Sequence, residues 1–423
     1  MTEWVAAAVA AAEEQMVATR RVLHQEPELS FAEGETAGRI ADRLREIGLA
    51  PRLLLDGTAV LCDLQGDGED QAGGVAGPVM VRADIDALPI QERGEDRPYR
   101  SHRPGVMHAC GHDGHMAIAL GVAEVLAAHR ADLPGRVRFC FQPAEEVAGG
   151  ARRLIEAGAL DPAPPSGAAE DGAGAGAAVA SGTGVRAVVG LHLYSGLEVG
   201  TVGVRSGAIF ASADEFTLAV RGRGGHGALP HLSLDPVPVA AAIVQGLQTL
   251  VSRETSPFEP AVVTIGRIEG GQAANIIAET VRLDGTVRAF DPDLRERLLR
   301  RVAELAGGIA GGAGATATFT RGPGCPPVVS DPRVARVVEA AARATLGATL
   351  VTADPLTVGD DMAEYCLRVP GCYFLLGAGN RSRGITAPHH HPEFDLDEGC
   401  LRIGAEVLTR ATLALLRPDA LAG

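Results

Sequence analysis

From Ser212 onward the chain runs strand 213–221, helix 235–252, strand 260–268, strand 279–289, helix 292–306 and strand 313–320. That β-α-β-β-α-β order is ferredoxin-like, and about 110 residues is a normal domain size. The block interrupts a different pattern. Before it come amphipathic helices 5–24 and 33–48. Apolar runs Pro78–Arg82, Val137–Phe141 and Val185–Leu193 follow, separated by helical stretches 112–129 and 149–158. After it, Pro323, Pro326 and Pro327 mark a return, with helix 332–345, a loop carrying Asp360-Asp361, strand 372–376 and helix 397–415. Short apolar runs bounded by turn residues are buried strands, and strands alternating with helices build an open α/β sheet with helices on both faces. The expected fold is therefore α/β and two-domain. Residues 1–211 and 323–423 form one discontinuous open-sheet domain, into which the βαββαβ domain 212–322 is inserted. Residues 161–184 are low-complexity, too poor in apolar surface to offset ordering, and are expected to form a flexible surface insertion.

Composition excludes several functions. The net charge is −15 and no basic tract occurs, which argues against a nucleic-acid partner. No apolar run reaches the length of a membrane helix. Met1 to Gln15 carries Glu3, Glu13 and Glu14, and reads as a first helix without the basic start of a signal peptide. The seven cysteines are odd in number and form no disulfide framework, so a reducing, cytoplasmic setting is expected. Every basic residue is arginine. Without lysine, neither a pyridoxal-phosphate Schiff base nor a Walker-type phosphate loop can be built.

Five segments concentrate the chemistry: Val81 to Pro89 with Asp84 and Asp86; His108 to His115 (HACGHDGH); Phe141 to Glu146 (FQPAEE); Gly190 to Leu193 (GLHL); and His389 to Phe394 (HHHPEF). Each has an ordinary reading alone. Asp84 and Asp86 suit a solvated loop, Cys110 a small buried hydrophobe, and Glu145-Glu146 a helix start. His192 suits a satisfied core position, and the histidine run a surface cluster. Three of the segments, however, fall at the C-terminal ends of expected strands, the edge where open α/β sheets bind ligands. Brought together, thiolate, imidazole and carboxylate suit Zn²⁺, Mn²⁺ or Co²⁺.

HACGHDGH, QPAEE and GLHL, in this order, resemble the signature of the aminoacylase/carboxypeptidase-type dinuclear metallopeptidases. The likeness is to the amidohydrolase branch of N-acyl-L-amino acid amidohydrolases, hippurate hydrolases and indoleacetyl-amino-acid hydrolases. The resemblance runs from Arg21-Val22-Leu23-His24-Gln25-Glu26-Pro27-Glu28-Leu29 to Phe394-Asp395-Leu396-Asp397-Glu398, and Gly224 to His231 is similar to the family's lid motif. It implies two divalent ions per subunit, Cys110 bridging them as thiolate, with His112, Glu146, His192 and one histidine of 389–391 completing the shells. The family's His-x-Pro pattern points to His390. It further implies Glu145 as general base, Asp86 as a clamp on a ligand, and His226, of the same chain or of the partner subunit, as the imidazole that polarises the scissile carbonyl. Asn275 is implied as a second oxyanion donor and Arg288 as the grip on the substrate α-carboxylate. The inserted domain becomes a lid and a homodimerisation element. Two positions depart from the pattern: Asp84 stands where carboxypeptidase relatives have a metal histidine, and Asp360-Asp361-Met362 replaces the usual Glu-Asp-Phe.

The implied activity is metal-dependent hydrolysis of the amide bond of an N-acyl-amino acid, a small-molecule substrate. Its rivals are a dipeptidase or carboxypeptidase on the same scaffold and, from another class, a non-catalytic metal-binding or dimerisation module.

Overall fold

A computed structural model describes residues 3–67, 77–94, 97–162 and 184–422. Nearly all of the low-complexity stretch 161–184 lies outside them. The chain divides into two compact units, one of residues 1–207, 329–354 and 364–423, the other of residues 208–328 and 355–363.

The first unit is built on a mixed eight-stranded sheet. At its centre lie four neighbouring parallel strands, Arg136–Gln142, Val79–Asp84, Ala187–Glu198 and Gly371–Gly379. All six residues of Val79–Asp84 are buried, which is why it reads as a continuous run and not an alternating one. Four strands of this sheet escaped the sequence reading. Pro51–Leu54 and Ala59–Gln65 extend one side of the sheet, and Thr201–Val204 and Thr349–Thr352 the other. Three of them are only four residues long, too short to display a period.

Helix His112–Ala128 is buried on almost every face, because it lies against the sheet and is crossed by helices Glu3–Gln25 and Gly399–Leu415. That is why it lacks an apolar stripe. The core gathers Val81, Phe139, Phe141, Val189, Leu191, Phe374 and Leu376 from the sheet, with Met116, Val122, Leu401 and Leu408 from the helices. At about 1.5–3 kcal/mol for each fully buried large apolar side chain, this core is ample to fix the sheet on which the chemistry is mounted.

The second unit has the expected βαββαβ order. Strands Ala213–Arg221, Ala261–Gly270, Thr280–Ala289 and Thr316–Cys325 form an antiparallel sheet in the spatial order second, third, first, fourth. Helices Pro236–Ser252 and Pro292–Gly312 pack on it through Ile243, Leu247, Leu298 and Val302 against Leu218, Val220, Leu283 and Val287. Both helices start as their sequences dictate. Asp235 and Asp291 accept N-cap hydrogen bonds from Val237 N–H (3.0 Å) and Leu294 N–H (2.8 Å), with proline in the first turn.

Candidate dinuclear metal centre

The first unit brings five of the expected residues together. Cys110, His112 and His192 present ligand atoms within 4.8 Å of one another, and so do Cys110, Glu146 and His390. Cys110 belongs to both groups. Each element delivers its residue for a local reason. Gly111 takes a left-handed conformation (φ +88°) just before helix His112–Ala128, turning the chain between Cys110 and His112. His192 lies on the parallel strand Ala187–Glu198, and Glu145-Glu146 follow the end of strand Arg136–Gln142.

Hydrogen bonds select which nitrogen of each imidazole faces the cluster. His112 donates from Nδ1 to the Asp86 carbonyl (2.8 Å), and His192 donates from Nδ1 to the Leu193 carbonyl (2.7 Å). Their Nε2 atoms are thereby turned inward, that of His192 to 3.6 Å from Cys110 Sγ and that of His112 to 3.9 Å from Glu146 Oε1. Of the three consecutive histidines, His390 points Nε2 at Glu146 Oε2 (3.3 Å). His389 is occupied elsewhere: its Nε2 accepts Ser195 N–H (3.2 Å) and its ring stacks on Tyr194. His391 accepts Glu393 N–H at Nδ1 (3.1 Å).

The cluster fits divalent cations. His112 Nε2 and Glu146 Oε1 are both buried and have no hydrogen-bond partner among the described residues. Two ligand atoms each about 2 Å from a shared ion stand up to about 4 Å apart, the spacing of this pair. Protein groups alone leave the site electrostatically strained. Burial, reinforced by Glu146, Glu145 and Asp84, holds the Cys110 thiol well above its usual range. Burial disfavours a charged His112, but Asp84, Asp86 and Glu146 outweigh it and push the imidazole up to about 10. A cation held there would relieve both conditions, by stabilising the thiolate and by standing in for the extra imidazole proton.

Around the ligands lies a second layer that sequence reasoning mostly missed. Asp86 was expected as a clamp. Its carboxylate accepts Glu145 N–H (3.0 Å), Glu146 N–H (3.1 Å) and the Ser30 hydroxyl (2.7 Å). Asp84 had no assigned task. It is fully buried, receives Arg82 Nη1–H (2.7 Å) and lies 2.6 Å from His115 Nδ1. His115 Nε2 in turn accepts Leu193 N–H (2.9 Å), so the proton sits on Nδ1 and the strand bearing His192 is tied to the helix bearing His112. Asp113 is gripped by Arg20 Nε–H (2.7 Å) and His24 (2.8 Å). Arg20 and His24 stand four apart on one helix face, a spacing that could have signalled a shared partner.

In the second unit, His226 and Asn275 are brought together. His226 pairs with Ile276 in a two-residue ladder, and Gly227 N–H donates to the Asn275 carbonyl (2.9 Å). A Cβ on residue 227 would lie 3.1 Å from that carbonyl, so glycine permits the approach. Arg288 lies on strand Thr280–Ala289, half-buried, and its side chain has no hydrogen-bond or ion-pair partner among the described residues.

The peptidase family M20/M25/M40 matches residues 80–414. The chain belongs to this family. It is similar to an N-acetylcysteine deacetylase of Bacillus subtilis (strain 168), 39% identical over 408 residues, covering 95% of this chain and 97% of the relative. It is also similar to thermostable carboxypeptidase 2 of Saccharolobus solfataricus, 32% identical over 410 residues, covering 95% of each. The crystal structure of Bacillus subtilis YXEP, a dinuclear metal binding peptidase of the same family, superposes with a TM-score of 0.79 at 35% identity, covering 96% of this chain and 99% of that one. As a member of the family the chain is a hydrolase with a metal-binding site. No helix among the described residues is long and apolar enough to cross a membrane.

Proposed function

We propose that the chain hydrolyses the amide bond of N-acyl-amino acids, releasing a carboxylic acid and an amino acid. The observation that carries the reading is the pair of ligand groups sharing Cys110, with Glu145 beside them. Cys110, His112, Glu146, His192 and His390 would hold two divalent ions, Zn²⁺, Mn²⁺ or Co²⁺, with Cys110 common to both. Bound there, the ions make water nucleophilic near neutral pH and polarise a carbonyl.

The protein's own groups do the rest. Glu145 takes a proton from the attacking water as its oxygen bonds to the acyl carbon, and returns a proton to the departing nitrogen as the C–N bond breaks. Asp86, holding Glu145 N–H and Glu146 N–H, keeps the two carboxylates on their separate tasks. His226 accepts Ala228 N–H at Nδ1 (3.1 Å), which leaves Nε2–H to donate to a developing oxyanion. Asn275 serves as a further donor. Arg288 reads the substrate α-carboxylate, and its lack of an ion pair among the described residues favours this over a structural role.

The test is a panel of N-acetyl- and N-benzoyl-amino acids set against unblocked dipeptides, with each metal added. Turnover confined to the unblocked dipeptides would transfer the reading to a dipeptidase or carboxypeptidase, the alternative that the carboxypeptidase relative favours. On the same panel Arg288→Ala should cut kcat/KM by the equivalent of about 2–5 kcal/mol, with unchanged metal content. The deficit should shrink when the substrate carboxylate is made a neutral amide. Equal deficits on both substrates would reassign Arg288 to the fold of its own unit.

We also infer a homodimer through the second unit. Strand Ala261–Gly270 is a sheet edge with Val262 and Ile268 exposed, a surface that self-pairing would cover. Light scattering at the assay concentration should give twice the chain mass, and a monomer with full activity counts against it. A cytoplasmic location suits the seven cysteines, all free and six of them buried.

A further inference from the structure

Glu33 lies 111 positions from Ala144 in sequence, yet it reaches the loop that carries Glu145. It occupies the N-cap position of helix Gly34–Glu46, where its backbone carbonyl accepts Ala37 N–H (2.8 Å). Its side chain caps nothing there. The carboxyl is fully buried and accepts Ala144 N–H at Oε1 (2.8 Å), while Oε2 has no hydrogen-bond partner among the described residues. The next two N–H groups, of Glu145 and Glu146, go to Asp86. Two buried carboxyls thus hold three successive backbone N–H groups immediately at the candidate base.

Ala144 makes this contact matter. Its φ is +53°, a left-handed conformation that costs a residue with a Cβ about 1–2 kcal/mol. Ala148, at the other side of the two glutamates, has φ +50°. A loop with two such residues relaxes unless its surroundings hold it. On the Asp86 side the restraint acts on Glu145 and Glu146 themselves, and on the Ala144 side it comes from Glu33.

We propose that Glu33 is a positioning residue that aims Glu145 by holding Ala144 N–H, an inference that rests on Glu145 being the general base. Burial, reinforced by Asp86, pushes the Glu33 carboxyl up to about 7, so an uncharged group is tolerated at this place. The contact needs an acceptor oxygen at the right reach more than it needs a charge.

The experiment measures kcat, KM, metal content and thermal midpoint for Glu33→Gln, Glu33→Asp and Glu33→Ala, with Glu145→Gln alongside, on an N-acetyl-amino acid that the native protein hydrolyses. Glu33→Ala and Glu33→Asp lose the acceptor or its reach, and should lower kcat by about 10- to 100-fold with KM and metal content unchanged. Glu33→Gln keeps an acceptor oxygen in place and should stay within about threefold of native. If Glu33→Ala does not fold, the Gln and Asp variants decide, and equal kcat in those two overturns the proposal. Native kcat in Glu33→Ala, while Glu145→Gln is inactive, overturns it and leaves the base assignment standing. Loss of metal in the Ala or Asp variants also overturns it, since Glu33 would then act on the ligands. Native turnover by Glu145→Gln removes the base assignment itself and this inference with it.

Discussion

Removing divalent metal should abolish hydrolysis, and returning Mn²⁺, Zn²⁺ or Co²⁺ should restore it. Two features of the cluster lead to this. Ligand atoms of Cys110, His112, Glu146, His192 and His390 converge in two groups, and His112 Nε2 and Glu146 Oε1 are buried with no hydrogen-bond partner among the described residues. A buried polar atom left without a partner costs about 1–3 kcal/mol, and a fold keeps two of them side by side only where something else satisfies them. The acyl carbon of an amide is a poor electrophile and water a poor nucleophile, and a bound divalent ion would polarise the one and activate the other. Dialysis against chelator, elemental analysis and assay of one preparation decide the matter. A preparation free of metal and fully active in chelator would falsify the metal centre. Since the ligands bind deprotonated, recovery on adding metal should be poorer as pH is lowered, which uptake measured across a pH series checks.

Glu145→Gln should keep the metal and lose turnover by a factor on the order of 10² or more, the usual scale for a missing general base. Glu146→Gln should instead lose metal. The two carboxylates are adjacent in sequence but differ in their surroundings. Glu146 faces His112 Nε2 (3.9 Å) with one oxygen and His390 Nε2 (3.3 Å) with the other, and so is committed to the ligand cluster. Glu145 is nearly buried and shares a ligand-sized space with His112 and Glu146, close enough to handle a proton on a water there. Amide for carboxylate at position 145 preserves shape and hydrogen-bonding reach but cannot take a proton. Metal analysis and kcat on the two variants separate the roles, and a Glu145→Gln protein with near-native turnover would end the base assignment.

How much of this could be read in advance differs by residue. HACGHDGH, QPAEE and GLHL advertise themselves because cysteine, histidine and paired carboxylates are rare in apolar surroundings, and QPAEE also because it follows the end of a strand. The βαββαβ order was legible because its strands are nine or ten residues long and its helices carry Asp-Pro starts. The four-residue strands Pro51–Leu54, Thr201–Val204 and Thr349–Thr352 were not, because they have too few residues to show a period, and the last two pair with strands distant in the chain.

What the chain alone determined is the inventory: which groups can bind metal, that arginine must do any cation's work, and that one domain is inserted into another pattern. What only the tertiary structure decided is the orientation of those groups. Which histidine of three faces Glu146 depends on Ser195 N–H occupying His389. Which nitrogen of His112 and His192 looks inward depends on two backbone carbonyls. The support of the Glu145 loop by Ser30, Glu33 and Asp86, and the tie of Asp84 through His115 to Leu193, join residues 31 to 111 positions apart. Backbone N–H and C=O groups are the same at every position, so sequence gives no sign of which ones a distant carboxyl or imidazole will meet. Only packing the helices on the sheet sets those distances, and with them which nitrogen each imidazole turns to a metal and where Glu145 is aimed.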